Sequence, residues 1–229
     1  MVKRELKDRL YGQFARVGRA LASPHRLELL DLLAQGERSV EELATEASLS
    51  IANASQHLRT LHQAELVSNR RDGTRVLYRL AAPEVFALWQ ALRVAAETRL
   101  AEIDRVAATY LGRREEMEAV GPDELLRRLA ADEVILIDVR PSLEYRQGHI
   151  AGARSIPVDE LAEGISRLPS ERPIVAYCRG PYCILADEAV ELLTARGRRA
   201  ARLTNGYPEW AASGLPVEIG ANGSARRET

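Results

Sequence analysis

The stretch SVEELATEASLSIANASQHLRTLHQAELVSNRRDGTRVLYRL (39–80) decides how the first half of the chain folds. Ser39 stands three residues before Glu42, the spacing of a capping box, and opens a short helix that ends near Ala47. The turn Ser48-Leu49-Ser50 leads into a second helix over about 52–64, on which Ala54, Leu58 and Leu61 share one face. The opposite face carries Asn53, Ser55, Gln56, His57 and Arg59, with Ser50 at its entrance. Amides, hydroxyls and a cation are the groups that reach base edges and phosphates from a helix in the major groove. Next comes a hairpin over 67–80, with Asp72-Gly73 expected to supply the positive torsions of a two-residue turn. Val76, Tyr78 and Leu80 are expected to pack inward, and Arg70, Arg71 and Arg75 to cluster at the tip. A polar-faced helix followed at once by an arginine-tipped hairpin reads as a winged helix-turn-helix.

Outward from this stretch, residues 3–66 read as successive helices, and one long helix is expected from about 83 to 117. Leu6, Leu10, Phe14, Val17 and Leu21 form an apolar stripe, and Leu88, Leu92, Leu100, Ile103 and Tyr110 form another. The net charge is −1, which alone would argue against nucleic acid. Residues 1–118 carry 18 Lys and Arg against 17 Asp and Glu, so the halves hardly differ, yet 68–79 holds four arginines and one acid. The local patch sets the field that a phosphate backbone meets.

The segments LASPHRLELLDLLAQGERSVEELA (21–44) and LSIANASQHLRTLHQAELVSNRRDGTRVLYRL (49–80) resemble the ArsR/SmtB repressors, a likeness covering nearly all of residues 3–112. The resemblance implies a homodimer on double-stranded operator DNA of two-fold symmetry, with the first and last helices as the dimer interface. Many relatives sense metals through cysteines before the turn or through His and acidic residues on the last helix. Here ERSVEELATEA has no cysteine, and Pro83 to Met117 has neither His nor Cys. No metal site is therefore expected. His25 and His62 read as structural or solvated, and His57 as either a packed histidine or a DNA contact.

From residue 122 onward short apolar runs alternate with helical stretches: VILIDV (134–139), PIVAYC (173–178), AARL (200–203). That alternation favours a parallel α/β sheet. Gly121-Pro122 marks the boundary, giving domains at 1–118 and 119–219 and a tail, 220–229, expected to be disordered. In PIVAYCRGPYCILADEAVELL (173–193) a strand ends at Cys178, a Gly/Pro loop follows, and a helix begins near Cys183. Backbone amides and a helix N-terminus around Cys178, with Arg179 adding a cation, are expected to lower its pKa. Cys178 and Cys183, as the whole cysteine content, do not form a disulfide framework. Cys183 reads equally as a resolving thiol and as a small residue starting a helix.

Residues 122–218 resemble rhodanese domains, through DVRPSLEYRQGHIAGARSIP (138–157), the cysteine after PIVAYC, and LTNGYPEWAASGLPV (203–217). The resemblance implies a persulfide carried on Cys178, taken from a sulfane-sulfur donor, within a loop cradle of Arg179, Gly180 and Tyr182. The loop CRGPYC is shorter than the family's usual CRSGNRS, Pro181 stiffens it, and no arginine is placed to clamp an oxyanion, so phosphoester or arsenate chemistry is not expected. Asp138, Arg140 and His149 are expected to brace the domain.

The expected protein is thus two domains, a mainly-α winged helix-turn-helix and an α/β rhodanese-like parallel sheet. It would act as a transcriptional repressor that senses reactive sulfur or redox state through Cys178, with small sulfur species or a thiol acceptor as partners. The alternatives are a working sulfurtransferase tethered to a DNA-binding domain, or an idle rhodanese fold serving oligomerisation. No cofactor is called for. No apolar run of roughly 18 residues exists and the charged start lacks a secretory signal, so a cytoplasmic protein without membrane contact is expected.

Overall fold

A computed structural model describes residues 2–220 and 224–225. Two compact units divide the chain, Met1–Ala95 and Ala96–Thr229. The first contains helices α1 (Val2–Leu21), α2 (Pro24–Leu33), α3 (Val40–Glu46) and α4 (Ile51–Gln63), with strands β1 (Arg38–Ser39), β2 (Val67–Asp72) and β3 (Arg75–Leu80). Helix α5 (Pro83–Arg99) begins in the first unit and ends in the second.

The predicted capping box is formed: Ser39 Oγ accepts from the Glu42 amide while the Glu42 carboxylate accepts from the Ser39 amide. Ser48 takes a left-handed φ of 53°, which turns the chain between α3 and α4. Leu29, Leu43, Ala54, Leu58, Leu61 and Tyr78 close the core around that turn, with Val76 and Leu80 packed against it. The hairpin differs from expectation by one residue. Asp72 pairs with Arg75, so the two loop residues are Gly73 and Thr74, and the positive φ of 61° falls on Gly73. Strand β1, too short to announce itself by alternation, pairs with β3 to make a three-stranded sheet of order β1-β3-β2.

The single long helix expected over 83–117 is two. Leu100 is extended (φ −113°, ψ 92°) between α5 and α6 (Ala101–Leu111), and no glycine or proline marks the break. Gly112, at φ 57°, ends α6, and a 3-10 turn follows at Arg114–Glu116.

In the second unit, strands and helices alternate as predicted: β4 (Ala119–Val120), α7 (Pro122–Ala130), β5 (Ile135–Asp138), α8 (Ser142–Gln147), β6 (His149–Ile150), β7 (Arg154–Ser155), α9 (Leu161–Gly164), β8 (Ile174–Tyr177), α10 (Leu185–Ala195), β9 (Ala200–Leu203), α11 (Tyr207–Ala212), β10 (Val217–Ile219) and β11 (Ser224–Ala225). Five of the strands form a parallel sheet of order β4-β9-β8-β5-β7. Both β5 and β8 are buried throughout, and their side chains divide by alternation. Ile135, Ile137, Ile174 and Ala176 pack on one face, Leu136, Val175 and Tyr177 on the other. Cys178 continues the first set at the carboxyl end of the central strand, where α/β sheets hold their ligands.

The expectation of disorder at 220–229 lies outside the described residues save Gly220, Ser224 and Ala225, of which the last two pair with β10. Among the described residues no helix is long and apolar enough to cross a membrane.

Candidate functional site

Two sets of functional side chains were expected, and each unit holds one. Of the α4 side chains expected to meet DNA, Asn53, Gln56 and Arg59 are exposed, spaced three apart on one stripe. Ser55 and His57 are half-buried. The His57 ring lies 5.5 Å from that of His25 on α2. Burial, and then His25 and Arg26, push its pKa below the ordinary imidazole value. Ser50 is the N-cap, its hydroxyl accepting from the Asn53 amide.

The wing arginines are not one cluster. Arg70 is held by Glu37 through a two-pronged hydrogen bond, Nε to Oε1 at 2.9 Å and Nη2 to Oε2 at 2.5 Å. Arg71 pairs with Val76 and Arg75 with Asp72, which places the two on opposite faces of the ribbon, both exposed. Arg71 and Arg75 therefore present their charge at the tip while Arg70 ties the wing to the loop before β1.

In the second unit the loop 178–184 runs from β8 to α10. Cys178 is buried and Cys183 half-buried, and both are free thiols. Amides of Gly180 and Ala186 turn toward Cys178, those of Arg179 and Leu185 toward Cys183, and the two thiols share a hydrogen bond. The Cys178 sulfur also lies 3.6 Å from the Cys183 carbonyl oxygen. The amide cradle is present, but the expected lowering of the Cys178 pKa is reversed. Burial and the adjacent Cys183 push the Cys178 thiol well up, whereas Cys183 is lowered, first by the hydrogen bond from Cys178 and then by the amides and Arg179. Cys183, the more exposed sulfur, is therefore the member of the pair that gives up its proton first.

Alkylation follows from this. Cys183 is expected to react with iodoacetamide before Cys178, with a pH midpoint below the ordinary thiol value of about 8.5. Cys178→Ala removes the donated hydrogen bond and should move that midpoint upward. Peptide mapping of alkylated protein across a pH series measures both, and preferential labelling of Cys178 would contradict the assignment.

Arg179 does not point at the thiols alone. Its Nε donates to Glu144 Oε1 at 2.9 Å, and Glu144 is buried on α8. The Cys178 carbonyl accepts from the Tyr207 amide, and a Cβ on Gly206 would stand 2.3 Å from the backbone of Arg179 and Gly180. A glycine is thus required at 206 by close approach. Glu209, buried on α11, accepts from the Gly206 amide and lies beside Gly180. Sequence reasoning missed Glu144, Gly206 and Glu209; the Asn205-Gly206 dipeptide was the available signal. Tyr182 stands at the loop's outer edge, its hydroxyl donating to Glu97 on α5 at 2.8 Å. Asp138, Arg140 and His149 are fully buried around a bidentate Asp138–Arg140 pair, in keeping with a bracing role.

Two families match the chain, at separate stretches of it. The arsR family of bacterial regulatory proteins matches residues 23–69, and the rhodanese-like domain matches 121–213. The chain is 48% identical over 215 residues to the HTH-type transcriptional regulator Rv0324 of Mycobacterium tuberculosis, covering 94% of each protein. A protein named sulfurtransferase from Allochromatium vinosum is 32% identical over 100 residues, 43% of this chain and 92% of its own. The solution structure of the homodimeric winged helix-turn-helix domain of a possible ArsR-family regulator from Mycobacterium bovis is 46% identical, covers 42% of this chain and 89% of its own, and superimposes with a TM-score of 0.40.

Proposed function

Because the chain belongs to the ArsR-type helix-turn-helix transcriptional regulators that carry a rhodanese-like domain, we propose that it is a repressor whose operator affinity falls when Cys178 takes up sulfane sulfur. Asn53, Gln56 and Arg59 read base edges in the major groove, with Ser50, Ser55 and His57 supporting them from capped or half-buried positions. Arg71 and Arg75 meet phosphates, and Arg70 fixes the angle of the wing. The protein acts as a homodimer through the apolar stripes of α1 and α5.

The observation that carries the sensing role is the hydrogen-bonded pair Cys178–Cys183 at the carboxyl end of the central strand. As the Cys178 sulfur attacks the outer sulfur of an organic persulfide or inorganic polysulfide, its proton passes to the Cys183 thiolate and the donor leaves as a thiolate or as the polysulfide one sulfur shorter. The product is a Cys178 persulfide beside a Cys183 thiol. Attack of Cys183 on the Cys178 sulfur then releases hydrogen sulfide and closes a disulfide, the donor having been the oxidant.

Mass spectrometry and gel shifts on the same polysulfide-treated samples test this. Added sulfur on the Cys178 peptide, or a Cys178–Cys183 link, should accompany loss of the shifted band, and Cys178→Ser should abolish both. A response that survives Cys178→Ser would end the proposal. A second reading, active sulfur transfer, draws on the likeness to the Allochromatium protein. It requires steady turnover from a sulfane-sulfur donor to a thiol acceptor, lost in Cys178→Ala.

A further inference from the structure

We propose that Arg114 is a positioning residue which, with Tyr182, makes the cysteine loop mechanically continuous with helices α5 and α6. The inference rests on the sulfur-sensing reading above and names how the modified loop is read.

Arg114 sits in the 3-10 turn that follows α6 and is buried. Its Nε donates to Asp187 Oδ2 at 2.6 Å. Its two terminal nitrogens donate to the carbonyl oxygens of Cys183, at 2.5 Å, and of Pro181. Asp187 is itself buried in the first turn of α10. One guanidinium therefore holds the distal half of the loop and the helix behind it. The Nε–Nη2 edge of Arg114 faces the Asp187 carboxylate, which by itself would account for a buried ion pair. Here two of its three nitrogens also serve main-chain carbonyls on either side of Tyr182.

Tyr182, between those carbonyls, turns outward instead. Its hydroxyl reaches Glu97 near the end of α5, and its ring helps line an apolar cleft of about 280 Å³ with Ile103, Val106, Ala107 and Tyr110 of α6. Residues 181–183 thus carry three ties to the helical segment, separated from them by 67 to 85 positions in sequence.

Closing a Cys178–Cys183 bond changes what these ties meet. The hydrogen bond that Cys178 donates to the Cys183 sulfur is replaced by a covalent bond, and the two sulfurs draw together, so the peptide planes on either side of Tyr182 must turn. Buried guanidinium donors left without acceptors are costly, so Arg114 follows its carbonyls and the turn after α6 moves with it. Tyr182 carries the same displacement to α5, which begins in the DNA-binding unit.

Full-length wild type, Tyr182→Phe and Arg114→Lys provide the test. Sulfur on Cys178 is measured by mass, operator affinity by gel shift, and amide exchange of residues 101–111 before and after the loop dithiol is oxidised with diamide, which is itself reduced to the hydrazine. Wild type should show a change in α6 exchange and about a 10- to 100-fold loss of operator affinity. Both variants should take up sulfur on Cys178 yet lose affinity by less than about threefold, with α6 exchange unchanged by oxidation. If Arg114→Lys melts, Tyr182→Phe, which deletes one hydroxyl, decides alone. Variants that respond as wild type does, in both affinity and α6 exchange, overturn the coupling and leave sensing intact. A wild type whose α6 exchange responds to oxidation while its operator affinity does not would instead sink the sensing reading and keep the coupling.

Discussion

Arg140→Met is expected to destabilise the second unit by about 3–5 kcal/mol, the cost of leaving a buried charge without its partner. Arg140 is wholly buried. Its backbone amide and Nε donate to Asp138 Oδ1, both at 3.0 Å, and Nη2 donates to Asp138 Oδ2 at 2.6 Å and to the Gly148 carbonyl at 2.8 Å. The guanidinium also lies 4.4 Å over the Tyr207 ring. Burial works against its charge, but Asp138, through charge and hydrogen bonds, outweighs that and holds the arginine protonated. With the side chain cut back, Asp138 keeps, among the described residues, the Tyr177 hydroxyl at 2.6 Å and the residue 140 amide. Tyr177 immediately precedes Cys178, so the loss reaches the sulfur site through the end of β8. Urea unfolding followed by Trp210 fluorescence, in a Trp89→Phe background, measures the cost. The double replacement Asp138→Leu with Arg140→Met should recover part of it, because neither member of the buried pair is then left without the other. A single-variant cost under about 1 kcal/mol would show that the pair is not the brace of this unit.

Phe14→Asp is expected to turn the dimer into a monomer and to weaken operator binding by about 100-fold or more, since each half-site would then be bound without its tethered neighbour. Leu6, Leu10 and Phe14 recur every four residues along α1 and are 54%, 53% and 61% exposed, with Leu88 and Leu92 exposed on α5. Contiguous apolar surface of this kind marks an association site. A carboxylate at its centre has no partner when the interface closes. Light scattering at graded protein concentration reads the assembly, and operator titration reads the affinity. A variant that remains dimeric at the wild-type concentration would remove α1 from the interface.

How far the residues foretold the molecule depended on the range of the interaction. The capping box at Ser39 and Glu42, the apolar face Ala54-Leu58-Leu61 and the hairpin were legible because each is a pattern within a few positions. The parallel sheet and the strand-end position of Cys178 were legible because buried strands read as apolar runs. Leu100 breaks a helix without glycine or proline, which no local pattern announces. Arg114 has no local signature in the sequence, since its partners lie 67 to 73 residues away. The protonation of the thiol pair was read backwards for a related reason. Loop amides and a nearby arginine are visible in sequence, whereas the burial that outweighs them at Cys178 belongs to the folded sheet. The three wing arginines likewise read as one cluster until strand register and Glu37 separated them.

Operator affinity of the reduced protein and of the same preparation after inorganic polysulfide, titrated by fluorescence anisotropy with the Cys178 peptide weighed in parallel, tests sulfur sensing most directly. Sensing predicts a drop in affinity of about 10- to 100-fold that tracks the fraction of Cys178 modified and reverses on reduction with dithiothreitol. Equal affinity in the two states, with Cys178 fully modified, would contradict it.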